Sequence, residues 1–123
     1  MKQVLLVFLG GGLGSVARYW LGLKLNNFET GIPFGTLLAN VLGSLIIGFI
    51  FGYIAKTGVF NENQTLLLAT GFCGGFTTFS TFAYENHLYI KSGDYFNLLP
   101  YLALTVILGF GAVFAGLYLA KWV

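Results

Sequence analysis

The sequence predicts an all-α membrane protein of four transmembrane helices, and three observations carry that prediction. Of 123 residues, 57% are hydrophobic and only 8% charged, with a mean hydropathy of +0.83. A soluble domain carries about a quarter charged residues, so an ordinary water-exposed surface cannot be built from this set. The few charges stand at the ends of four apolar runs, each long enough for the roughly 20 residues a spanning helix needs. Short polar links join the runs: Asn26 to Thr30, Thr57-Gly58 with Asn61 to Asn63, and Lys91 to Asp94. The length allows one domain, residues 1–123, with no room for a soluble catalytic domain beside the membrane part, so an enzyme is not expected. Six Lys and Arg against four Asp and Glu give +2, too little for a nucleic-acid footprint. The single cysteine, Cys73, excludes an internal disulfide and reads as an inert buried thiol.

The first helix is expected over about 3–24, an apolar run interrupted only by Arg18. A cleaved signal peptide would have a more basic start and a shorter apolar core. This run continues past Arg18 through Leu23, which favours a retained span. The second helix, about 33–55, starts at Pro33 and closes at Lys56; the third, about 63–90, has Asn61 or Asn63 available as its cap; the fourth, about 98–120, has Pro100 near its start and ends before Lys121 and Trp122. Four spans put both termini on one side. Lys2, Lys56 and Lys121 then face Lys24, Lys91 and Arg18 across the membrane, three against three. The positive-inside rule has almost nothing to act on, so the chain is expected to insert in both orientations and to pair antiparallel about a two-fold axis in the membrane plane. Gly10 and Gly14 in the first helix and Gly48 and Gly52 in the second have the small-xxx-small spacing of close helix packing.

Within the third run, Gly74-Gly75 is followed by the β-branched pair Thr77-Thr78. Both features weaken a helix, and the run is longer than one straight span requires, so a break is expected near residues 74–78. Unwound backbone in a bilayer must be buried in protein or line a cavity, where its freed carbonyls suit a small hard cation. Three helices also carry polar stripes: Thr36, Asn40 and Ser44 in the second, Thr78, Thr81 and Glu85 in the third, Tyr101 and Thr105 in the fourth. An intramembrane amide such as Asn40 needs an interhelical partner or a wet path. Hydroxyls, that amide and the electropositive ring edges of Phe79 and Phe82 make a donor-rich track suited to a small anion. Arg18 and Glu85 are the charges expected within the membrane's depth, as mouth or interfacial residues.

The run from Gly71 to Phe82, with Gly35-Thr36-Leu37-Leu38-Ala39-Asn40 and Gly14-Ser15-Val16-Ala17-Arg18-Tyr19-Trp20, resembles the signatures of the small microbial fluoride channels called Fluc or CrcB. The resemblance covers the whole chain in order and spacing. It implies a fluoride-selective channel in the cell (inner or plasma) membrane that exports fluoride passively from the cytoplasm and lowers its toxicity. The implied assembly is an antiparallel, dual-topology homodimer with two pores and a structural Na⁺ on its axis. Position by position, it puts the Na⁺-holding carbonyls on Gly74 and Thr77, and the pore residues on Phe79, Phe82, Asn40, Thr36, Tyr101 and Thr105. Arg18 falls at the vestibule and Glu85 near the pore. Gly109 stands where some members carry a serine, a departure at the far end of the polar track. Competing readings are a small proton-coupled exporter of cationic drugs, which needs a membrane-embedded carboxylate that the first helix lacks, and a non-transporting scaffold, which has no need of three polar stripes.

Overall fold

The computed structural model describes residues 1–27, 29 and 31–123. Helix α1 runs over Lys2–Leu25 and α2 over Phe34–Thr57. The third span, Glu62–Ser92, is composite. It holds α3 (Glu62–Thr65), a π-helical stretch Leu66–Cys73, α4 (Gly74–Phe76) and, after Thr77 and Thr78, α5 (Phe79–Ser92). Helix α6 covers Tyr95–Ala120. Four helices are therefore long and apolar enough to cross a membrane, and the chain is a multi-pass membrane protein.

The boundaries follow from local chemistry. Asn61 opens the third span with a capping box: its Oδ1 accepts from the Gln64 amide at 2.9 Å, and Gln64 Oε1 accepts from the Asn61 amide at 3.0 Å. Gly93, at φ 73°, takes the left-handed turn that ends α5, a conformation that side-chain-bearing residues adopt at a cost. Asp94 then caps α6 by accepting from the Asn97 amide at 3.2 Å. Because that cap lies so early, α6 begins before residue 98, and Pro100 falls inside the helix rather than at its start. Its ring removes one i→i−4 bond.

Packing is between backbones as much as side chains. Helices α2 and α6 lie along one another, while α1 lies against the π-helical stretch and α4. At Gly14 the approach is so close that a methyl group would collide with the Phe72 carbonyl oxygen and the Phe76 nitrogen. That contact explains the Gly10–Gly14 spacing in a solvent that gives helices no hydrophobic reason to associate. Two buried clusters fix the helices. One is Leu37, Phe82 and Tyr101, the other Ile50, Ala69 and Cys73. Large apolar residues such as Phe8, Leu13, Phe110 and Phe114 point outward, as lipid-facing residues do.

Candidate functional site: the junction in the third span

The site is built on the two residues between α4 and α5. Thr77 (φ −81°, ψ 157°) and Thr78 (φ −153°, ψ 118°) are extended, so the helical ladder stops and restarts. Thr77 turns back on the first half, its amide and its hydroxyl both donating to the Cys73 carbonyl at 3.0 and 2.8 Å. Thr78 starts the second half, its Oγ1 accepting from the Thr81 amide at 3.2 Å. Neighbouring helices hold both sides. From α1, Arg18 Nε donates to the Gly75 carbonyl at 3.1 Å, with Ser15 Oγ reaching the same oxygen at 3.4 Å. From α2, Asn40 Oδ1 accepts from the Thr78 amide at 2.7 Å while Asn40 Nδ2 donates to the Thr78 carbonyl at 3.1 Å.

A second cluster lies farther along α5, level with the end of α1 and the start of α2. Glu85 is 8% exposed, and both its oxygens are occupied. Thr36 donates to Oε1 at 2.7 Å and Tyr101, fully buried, donates to Oε2 at 3.0 Å. Asn26, at the end of α1, donates to Thr36 Oγ1 at 3.2 Å and accepts from the Thr36 amide at 3.1 Å. The Thr36 hydroxyl thus receives one hydrogen bond and directs its own hydrogen at the carboxylate. Phenyl and phenol rings connect the two clusters. Phe79 and Phe82 have centroids 6.0 Å apart, Phe82 and Tyr101 5.2 Å, and Tyr101 and Tyr89 6.1 Å. Tyr89 in turn donates to the Gly31 carbonyl.

Two hollows meet at Thr78. One, about 350 Å³, is lined by Arg18, Tyr19, Asn26, Thr36, Thr78 and Thr81, among others. The other is an open groove that includes Asn40, Gly74, Thr77, Phe79, Phe82 and Thr105. Gly109 lines the same groove, and with no side chain it offers that end of the polar track no hydroxyl. Phe79 is 79% exposed along that groove in the single chain, whereas Phe82 is buried. Thr105 Oγ1 is buried without a hydrogen-bond partner among the described residues.

The structure therefore gathers Thr36, Glu85, Tyr101 and Phe82 into one network and sets Asn40, Thr77 and Arg18 around the junction. It departs from the sequence reading in two ways. Glu85, read as a mouth or interfacial carboxylate, is buried in the protein in the middle of α5, where Thr36 and Tyr101 project onto it. Of the hydroxyls expected as donors, those of Thr36 and Tyr101 have their hydrogens on that carboxylate. Asn26 and Ser15 were not singled out from sequence, although an Asn ending an apolar run and a Ser one turn before Arg18 were visible signals. Asn86, buried with its Oδ1 unpartnered among the described residues, carried none.

Comparison with known proteins adds the family. The family model described as "CrcB-like protein, Camphor Resistance (CrcB)" matches residues 5–117. A protein of Gloeothece citriformis named "Fluoride-specific ion channel FluC" is 50% identical over 122 residues, covering 98% of this chain and 98% of its own. Proteins of the same name from Chlorobaculum tepidum and Leptospira interrogans are 46% and 44% identical, each covering 98% of this chain and 96% and 95% of their own lengths. The chain belongs to the CrcB-like family.

Proposed function

We propose that this protein is a fluoride-selective channel, not an enzyme, that lets fluoride leave the cytoplasm passively, working as an antiparallel homodimer with two pores and a central Na⁺. The observation that carries the reading is the Thr77–Thr78 junction beside a row of hydroxyls and ring edges, in a chain whose relatives are named fluoride-specific channels. With α1 to α6 spanning a bilayer, the junction falls near its middle, about half-way along the third span.

Fluoride is small and strongly hydrated, so a dry constriction costs it heavily unless protein donors replace water. Beside the junction, in the hollow it lines with Thr36 and Thr78, the Arg18 charge attracts anions. At the junction, the first turn of α5 offers amides with no helical partner and the positive end of its dipole, and the rings of Phe79 and Phe82 offer positive edges. Farther on, the Thr36 and Tyr101 hydroxyls turn from Glu85 to the passing ion. The carboxylate beside them repels the anion, so the hold at each station stays weak enough for release. Phe79, exposed in one chain, is covered when a second copy lies along the groove.

Na⁺ fits the donor set. A hard cation takes oxygen ligands, and Gly74 and Thr77, at the start of α4 and just past its end, both line the groove and carry backbone carbonyls. When bound, Na⁺ supplies a fixed positive charge and a link between protomers. The balance of basic residues across the membrane supports insertion in both orientations.

The test is efflux from liposomes loaded with fluoride and containing the purified protein, read with a fluoride electrode. The reading predicts electrogenic fluoride release and no chloride release; equal chloride flux or no flux contradicts it. A buried carboxylate such as Glu85 also suits a proton-coupled cation exporter, and that alternative predicts proton movement against a cation with fluoride retained.

A further inference from the structure

In a continuous helix the Thr78 amide would bond the Gly74 carbonyl and the Thr81 amide would bond the Thr77 carbonyl. Here both donors are diverted. The Thr78 amide goes to Asn40 Oδ1 at 2.7 Å, and the Thr81 amide goes to Thr78 Oγ1 at 3.2 Å. Two neighbouring carbonyls have other fates: Gly75 is taken by Arg18 and Ser15, and Cys73, one turn before Thr77, is taken by the Thr77 amide and hydroxyl. Side-chain oxygens from Asn40 and Thr78 thus stand where the Gly74 and Thr77 carbonyls would stand.

We infer that Asn40 and Thr78 are positioning residues that free the Gly74 and Thr77 carbonyls for a small hard cation by capturing the amides those carbonyls would otherwise accept. The inference rests on the sodium site of the proposed function. It gives Asn40 a task other than meeting the permeating anion, since its Oδ1 is an acceptor committed to backbone. It also makes the junction a property of each protomer, held before any cation binds. The Arg18 and Ser15 bonds to Gly75 complete the division, keeping that carbonyl on the α1 side.

The chemistry separates two kinds of substitution. Asn40→Leu keeps the size but removes the acceptor, so the Thr78 amide returns to Gly74. Asn40→Asp keeps an oxygen for the Thr78 amide whether or not it is protonated, and only the donor to the Thr78 carbonyl changes. In the same way Thr78→Val removes the acceptor for the Thr81 amide and Thr78→Ser retains it.

The experiment is sodium retained by the purified full-length protein after equilibrium dialysis, measured by atomic emission on wild type and these four variants. Sodium affinity is expected to fall about tenfold in Asn40→Leu and in Thr78→Val, the upper range for one hydrogen bond exchanged. It is expected to stay within about threefold of wild type in Asn40→Asp and Thr78→Ser. Wild-type affinity in both Asn40→Leu and Thr78→Val overturns the inference while leaving the sodium site standing. Absence of sodium from the wild type overturns the site and the inference together. Hydrogen exchange of the Thr78 and Thr81 amides in wild type covers the case of variants that do not fold. Equal protection with and without sodium is expected, and protection that appears only with sodium overturns the inference.

Discussion

Removing the Tyr101 hydroxyl leaves the buried Glu85 carboxylate without the donor its Oε2 now holds at 3.0 Å. Tyr101→Phe is therefore expected to destabilise the folded protein by about 1–3 kcal/mol, the cost of an unsatisfied buried acceptor, seen as a lower thermal-aggregation midpoint in detergent. Thr105→Val gives the opposite pattern. Its Oγ1 has no partner among the described residues, so stability should change by less than about 0.5 kcal/mol, while fluoride flux in liposomes falls. The two phenylalanines divide similarly. Phe82 is buried against Tyr101 at 5.2 Å, so Phe82→Ile should lower both flux and, by about 1–2 kcal/mol, stability. Exposed Phe79 can be changed to Ile with a loss of flux alone. Unchanged flux in both variants removes the rings from the pathway.

At the scale of elements, the junction and the glycine face of α1 explain one another. α4 and the π-helical stretch come close to α1 because Gly10 and Gly14 on one side and Gly71 and Gly75 on the other lack side chains. That closeness brings Arg18 and Ser15 to the Gly75 carbonyl. Gly14→Leu should abolish the folded protein or its flux, whereas Gly12→Ala, whose new methyl group meets nothing within 4 Å, should leave both intact; size-exclusion profiles and efflux check the pair. Much of this was legible beforehand. Four apolar runs bounded by charges gave the spans, and two glycines followed by two threonines gave the weak point in the third. The π-helical geometry of Leu66–Cys73 left no mark, because nothing in an apolar run distinguishes i→i−5 from i→i−4 bonding. The burial of Glu85 was equally hidden. Whether this carboxylate faces water or two hydroxyls depends on residues that are distant in sequence, Thr36 by 49 residues and Tyr101 by 16.

For the whole molecule, an apolar exterior, a groove carrying Phe79 and Thr105, and a balanced set of basic residues fit two inverted copies in a bilayer. In a Cys73→Ala background with Ser92→Cys, an exposed site at the end of α5, a membrane-impermeant maleimide should label about half the protein from outside intact cells, because charge gives insertion no preferred direction. Labelling of all or none would indicate one orientation and set the antiparallel dimer aside. The central claim, that donors along α5 and its neighbours carry fluoride and refuse larger halides, is tested most directly by current through the purified protein in a planar bilayer with fluoride on one side and chloride on the other. The account predicts a reversal potential displaced far toward that of a membrane permeable to fluoride alone. A reversal potential near zero, or one displaced toward chloride, contradicts it.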